Sequence, residues 1–179
     1  MKNERRRSNH VMRLWTRQKV AVLEILDRDG VYRVKKSYIQ EKFEDCADLV
    51  LPVYRWYARK VQEILPGPEG AEYPIWLSMS HDYMLQPTQD TVILELEVEA
   101  RHVMTMDTEK WGYIVNYWYL PQDEEDAERH AAELKKYNIH DESSIYTSPF
   151  YPQLKAKIVK SWDRLFDDRI QLSPHQQAT

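Results

Sequence analysis

Residues 66–70 read Pro-Gly-Pro-Glu-Gly, and no helix continues through them. Two of the five lack the N–H that a helix interior needs, and two are glycines, of which the whole chain has four. The apolar spacing differs on the two sides of this break. Before it, Val53, Tyr57, Val61 and Ile64 recur at helical spacing behind Pro52, a residue suited to a first helical turn. After it, Tyr73–Ser78 is a short apolar run. Residues 91–98 then alternate, with Val92, Leu94, Leu96 and Val98 on one face of a strand and Ile93, Glu95 and Glu97 on the other. A helical first third followed by a strand-bearing centre bounds the fold to the α+β class.

The remaining elements follow from caps and periods. Arg13–Thr16 alternates as a short strand, and Thr16 can cap a helix over residues 19–29 that turns Val20, Leu23 and Leu26 inward and stops at Gly30. Ser37 can cap a short helix reaching Phe43. Val103–Met106 reads as a further strand, and Asp107 or Thr108 opens a helix with Trp111, Ile114, Val115 and Trp118 on one side. Asp123 to Asp126 place negative charge at the start of a helix that ends in Lys135 and Lys136, both favourable to its dipole. Only Ala127, Ala131 and Leu134 mark an inner face there, so this helix is expected at the periphery. Pro152 opens a last helix with Leu154, Ile158, Trp162 and Leu165 inward. The expected fold is α+β, a small and mostly antiparallel sheet flanked by several helices in a single domain over residues 12–170. A basic lead (residues 1–11) precedes it, with Met12 as an alternative start, and a flexible C-terminal segment (residues 171–179) follows.

At 179 residues, 42% apolar and 30% charged, the chain can bury a sizeable core. Its net charge of −4 opposes general nucleic-acid affinity, yet the charge is unevenly placed. Residues 1–60 hold fifteen Lys or Arg against eight Asp or Glu, a net of +7, and residues 61–179 hold ten against twenty-one, a net of −11. A single cysteine, Cys46, rules out an internal disulfide. No apolar run approaches the roughly 18 residues of a membrane span, and no apolar stretch follows the basic start as in a signal peptide. Cytoplasmic localisation is the expectation.

The usual catalytic motifs are missing. Six histidines are scattered without a His-x-x-x-His pair, so no metal site is expected. Cys46 sits beside Asp45, which opposes thiolate formation. The glycines, at 30, 67, 70 and 112, make no phosphate-cradling loop. Glu95 and Glu97, on one strand face, are the candidates for acid–base work. The aromatic supply is more informative: six Trp and twelve Tyr against three Phe favours rings that carry a polar handle. Trp15 among Arg13, Thr16, Arg17 and Gln18 could stack on a flat ligand while the guanidinium groups hold an anion. Trp76 and Ser78 could line the same cleft, and Tyr54, Arg55 and Arg59 could close over it. Trp111, Trp118 and Trp162 lie on helical apolar stripes and count as core.

The run Met12-Arg13-Leu14-Trp15-Thr16-Arg17-Gln18, then Gly30-Val31-Tyr32, resembles the opening of a family of small bacterial proteins known as a domain of unknown function. Tyr54-x-Trp56, Pro68-Glu69-Gly70 with Tyr73-Pro74-Ile75-Trp76, Asp107 with Trp111 and Asn116, and Ser161-Trp162-Asp163-Arg164-Leu165-Phe166 continue the likeness across residues 12–179. It implies no activity. It does imply a further strand beyond Gln177-Ala178-Thr179, so that the C-terminal segment would be cut short. A looser likeness in layout is to ADP-ribosyltransferases, with residues 13–30, 76–78 and 94–98 in a comparable order; that likeness would imply NAD as cofactor.

Three functional readings follow. The first is a module that binds a small molecule or a partner protein through an aromatic and Arg-lined cleft. The second is a transferase using NAD or another nucleotide, with Glu95 or Glu97 stabilising developing positive charge. The third is a nucleic-acid-associated toxin or defence protein using the basic N-terminal side.

Overall fold

Period-two alternation in two distant segments produces the sheet. In the computed structural model, which describes residues 10–172, strand β1 (Val11–Lys19) pairs antiparallel with strand β2 (Thr91–Glu99). The register runs from Val11 opposite Glu99 to Lys19 opposite Thr91, placing Trp15 opposite Glu95 and Arg13 opposite Glu97. Just beyond the strands, Ala100 N–H donates to His10 C=O at 3.0 Å and Val20 N–H to Asp90 C=O at 3.0 Å. These bonds set the parity of the ladder. Even-numbered residues of β1 exchange hydrogen bonds with even-numbered residues of β2, and the odd pairs form the non-hydrogen-bonded rungs. The backbone of Trp15 therefore faces away from β2. It pairs instead with Ser78, donating at 3.1 Å and accepting at 2.7 Å. Most of the basic lead lies outside the described residues, as does the C-terminal segment from residue 173. Val11, placed by sequence in that lead, is already in β1.

The chain is α+β, and its packing divides it into two compact units with the boundary between Met104 and Thr105. Unit 1 adds to the sheet helices α1 (Ala21–Asp29), α2 (Lys36–Phe43) and α3 (Ala47–Ile64), with a 3-10 turn over Glu44–Cys46. Ile39, Ala47 and Leu51 form a buried cluster, covered by Val34, Phe43, Val50, Tyr54 and Tyr73. Gly30 ends α1 in the left-handed region at φ 67° and donates to Leu26 C=O, as the sequence predicts.

Several expectations for unit 1 are corrected. Thr16 caps nothing, because it is buried within β1 and its hydroxyl accepts from Gln18 Nε2 at 2.9 Å. Starting instead at Ala21, α1 turns Val22 inward and leaves Val20 and Leu23 exposed, which is a different helical phase. Ser37 lies inside α2 rather than at its cap. Pro52 does not open α3; five residues precede it, because burying Ala47 and Leu51 against Ile39 offsets the hydrogen bond that proline cannot make. Among the described residues Tyr73–Ser78 makes two isolated bridges, Val34 with Tyr73 and Trp15 with Ser78, in place of a strand, since Pro74 lacks the N–H a continuous ladder needs. No strand forms over residues 103–106, because a 3-10 turn at Ala100–His102 carries the chain off the sheet.

Unit 2 is helical among its described residues, with α4 (Thr108–Val115), α5 (Glu124–Lys136), α6 (Ser143–Thr147) and α7 (Pro152–Ser161), which continues as a 3-10 turn to Phe166. The expected helix starts are present, and Asp123 proves to be a cap as well as a charge. Asp107 accepts from the N–H groups of Glu109 and Lys110, Asp123 accepts from Asp126 N–H, and Pro152 occupies the first turn of α7. Leu154, Ile158, Trp162 and Leu165 are buried as the spacing predicts, together with Ile114, Leu120 and Ile145. Val115 is exposed instead, because α4 ends there. Among the described residues, no helix is long and apolar enough to cross a membrane.

Two substitutions separate core burial from backbone conformation. Leu120, 0% exposed, should lose about 2–5 kcal/mol of unfolding free energy on truncation to alanine. Gly30→Ala meets no atom within 4 Å, so its cost should be conformational alone, about 1 kcal/mol. Urea denaturation of the purified variants measures both.

Candidate functional site

The sheet parity sorts the candidate residues onto two faces. Arg13, Trp15 and Arg17 point to one side with Glu95 and Glu97, and Thr16 and Gln18 point to the other with Leu14. On the first face Arg13 Nε lies 3.2 Å from one carboxylate oxygen of Glu95, and Trp15 Nε1 donates to the other at 3.1 Å. Arg13 Nη2 also reaches Glu97 at 4.0 Å. Both candidate acid–base carboxylates are thus engaged with a single arginine on a solvent-facing surface. The Trp15 ring meets His81 edge-on, with centroids 5.9 Å apart at 82°. Arg17 donates to Gln86 C=O at 2.9 Å and has no carboxylate partner among the described residues. Segment 78–86 is therefore fastened to β1 at Ser78, His81 and Gln86. His81 was not among the residues expected from sequence to line the cleft.

The other candidates are dispersed within unit 1. Gln18 is held between the Thr16 hydroxyl and Tyr32, whose O–H donates to Gln18 Oε1 at 3.4 Å. Trp76 packs on α3, with its ring 5.0 Å from that of Tyr57 and 5.5 Å from that of Tyr54. Burial pushes the Tyr57 hydroxyl up to about 12, so it stays neutral. Arg55 and Arg59, one helical turn apart on α3, are exposed, with no ion pair among the described residues. Ser78 contributes its backbone to the Trp15 bridge. Among the described residues, no three His, Cys, Asp or Glu side chains are placed to hold a metal ion.

Sequence reasoning missed a polar knot in unit 2. Tyr119 O–H donates to Asp126, both carboxylate oxygens lying 3.0 Å away. Arg164 Nη1 donates to Asp126 at 2.7 Å and to Leu120 C=O at 2.6 Å. His130 is buried, stacked on the Tyr119 ring at 4.1 Å and 19°. Its Nε2 lies 3.2 Å from Glu142, within ion-pair reach but not aligned for a hydrogen bond, and its Nδ1 has no hydrogen-bond partner among the described residues. The other Glu142 oxygen accepts from Tyr119 N–H at 2.5 Å. A signal for His130 was present, since it lies three residues after Ala127 and four before Leu134. The inner face of α5 runs through His130 and not through Ala131, which is exposed. The void beside this unit's aromatic rings, lined by Tyr117, Tyr146 and Trp162, holds about 10 Å³, space for about one water.

Burial opposes ionisation of Asp126, but Gln122 N–H, the Tyr119 hydroxyl and Arg164 outweigh it and hold the carboxyl below its ordinary value. A lowered folded-state pKa adds stability above the unfolded value, near 4, and that stability is lost as pH falls through the folded value. Asp126→Asn should therefore cost about 1.5–3 kcal/mol at pH 7. The variant should also lack this group's share of the acid-side decline, which denaturant titrations between pH 7 and 3 resolve.

A family model described as a domain of unknown function, DUF3841, matches residues 13–179. The chain belongs to that family. No curated protein and no solved structure matches it.

Proposed function

We propose that this member of the DUF3841 family is a binding module that recognises a partner protein through unit 1. The recognition surface is the Trp15 face of the β1–β2 sheet together with segment 79–86. The observation that carries this reading is the exposure of Met79, Tyr83 and Leu85, at 61%, 87% and 58%, on a segment fastened to Trp15 through Ser78 and His81. Burial of large apolar side chains is the main favourable term in association, and Trp, Tyr, Met and Arg are the types enriched at interface centres.

Geometry favours a protein over a small molecule. Small ligands need concave sites where a few polar groups converge. Here Arg13, Trp15 and Arg17 face one way and Thr16 and Gln18 the other. The Trp15 ring is also held before any partner arrives, by Glu95 and His81, which lowers the ordering cost of binding. The transferase reading draws less support, since Arg13 already engages both Glu95 and Glu97. The free guanidinium end of Arg17 fits an acidic residue on the partner.

A photo-crosslinking residue placed at position 83 in cells of the native host tests this. A discrete protein adduct is expected from position 83 and not from exposed Glu128 on α5. Trp15→Ala should reduce the adduct by roughly tenfold, a loss of about 1.4 kcal/mol. Equal adducts at both positions, or none at 83, would sink the proposal. So would a rise in melting temperature with NAD or ADP-ribose that Trp15→Ala abolishes, which would favour a nucleotide site.

A further inference from the structure

Ladder parity also determines where the outer edge of β2 points its backbone. The even residues Val92, Leu94, Leu96 and Val98 spend their N–H and C=O groups on β1. The odd residues Ile93, Glu95 and Glu97 direct theirs away from it. Among the described residues nothing pairs with them, whether strand, turn or side chain. The edge is nine residues long and contains no Pro or Gly, and its pairing with β1 is unbroken. Its flank is unfinished too, because Val92, Leu94, Leu96 and Val98 are only half-buried. Unpaired edges of this length normally carry devices that block a further strand, such as proline, a bulge or a covering loop. Among the described residues β2 carries no proline and no bulge, and nothing hydrogen-bonds across its outer edge; its charges, Glu95, Glu97 and Glu99, are confined to one face.

Those charges select the occupant. In a strand hydrogen-bonded to this edge, the residues opposite Ile93, Glu95 and Glu97 lie on the acidic face. Arg13 is shared between Glu95 at 3.2 Å and Glu97 at 4.0 Å, so two carboxylates meet one cation, and Glu97 keeps 72% of its side chain exposed. A second copy pairing along the full length of β2 (Thr91–Glu99) would set Glu95 opposite Glu95 at the centre of the interface, which like charges oppose. A strand with Lys or Arg at these positions and apolar residues between them completes both faces. We propose that the outer edge of β2 docks an extended basic–apolar segment of a partner protein as a third strand. Main-chain bonds to Ile93, Glu95 and Glu97 would supply affinity, and the acidic row would supply selectivity. The acidic row shares its sheet face with Trp15. The outward main-chain groups of Ile93, Glu95 and Glu97, however, lie on the side of β2 away from β1, and the inference does not need a partner seated on Trp15 and Tyr83.

Nine-residue fluorescent peptides, matched to the length of β2, test it on the full chain by anisotropy. Peptides alternating Lys with Val and Glu with Val are compared. The Lys–Val peptide should bind at least tenfold more tightly, and added salt should weaken it. Glu97→Lys should reverse the preference, and Glu97→Pro, which removes one outward N–H, should weaken both peptides. Circular dichroism on each variant confirms that it is folded, and Glu97→Lys keeps the test decisive if the proline variant is not. Equal affinity of the two peptides, no binding at about 1 mM, or a concentration-dependent dimer abolished by Glu97→Pro would overturn the proposal.

Discussion

The antiparallel pairing of β1 with β2 is the constraint on which the rest of unit 1 depends. Trp15 sits opposite Glu95 on a rung without backbone bonds, so its backbone is free to capture Ser78. The same rung brings side chains closer than a hydrogen-bonded pair would, and there the Trp15 indole and Arg13 share one carboxylate. A slip of one residue would turn Leu14 outward and Trp15 into the core, dissolving the ion pairs and releasing the segment that carries Tyr83. One register thus determines the recognition face, the loop beside it and the direction of the open edge.

Unit 2 handles polarity differently. In unit 1 the charged groups meet on a solvent-facing sheet, where each exposed pair adds little stability. In unit 2 Asp126 is nearly enclosed and gathers the Tyr119 hydroxyl, Arg164 and the Gln122 N–H. A satisfied network of this kind fixes one arrangement of the surrounding helices, because losing any member strands the others away from water. His130 is the exception, with an Nδ1 that no neighbour satisfies.

Much of this was legible in the amino-acid sequence where the signal is local. Residues 91–98 show the alternation of β2, and Asp107, Asp123 and Pro152 mark helix starts through short-range hydrogen bonding or a fixed φ. What was not legible depends on partners far along the chain. The start of α3 ahead of Pro52 follows from burial against Ile39, and the inward turn of Val22 follows from where β1 releases the chain. Arg13, Trp15 and Arg17 fall on the opposite face from Thr16 and Gln18 by period-two spacing once β1 is known to run through Lys19, so the expected single cleft fails on a local rule and not a distant one. The engagement of Glu95 and Glu97 by Arg13 needs an offset of about eighty residues, which no local pattern encodes.

Amide hydrogen exchange along β2 in the free protein, followed by NMR, tests the central claim most directly. The register predicts alternation, with the N–H groups of Leu94 and Leu96 exchanging slowly and those of Ile93, Glu95 and Glu97 at least tenfold faster. Uniform protection along the strand, or protection of the odd residues in place of the even ones, would contradict both the ladder parity and the open edge.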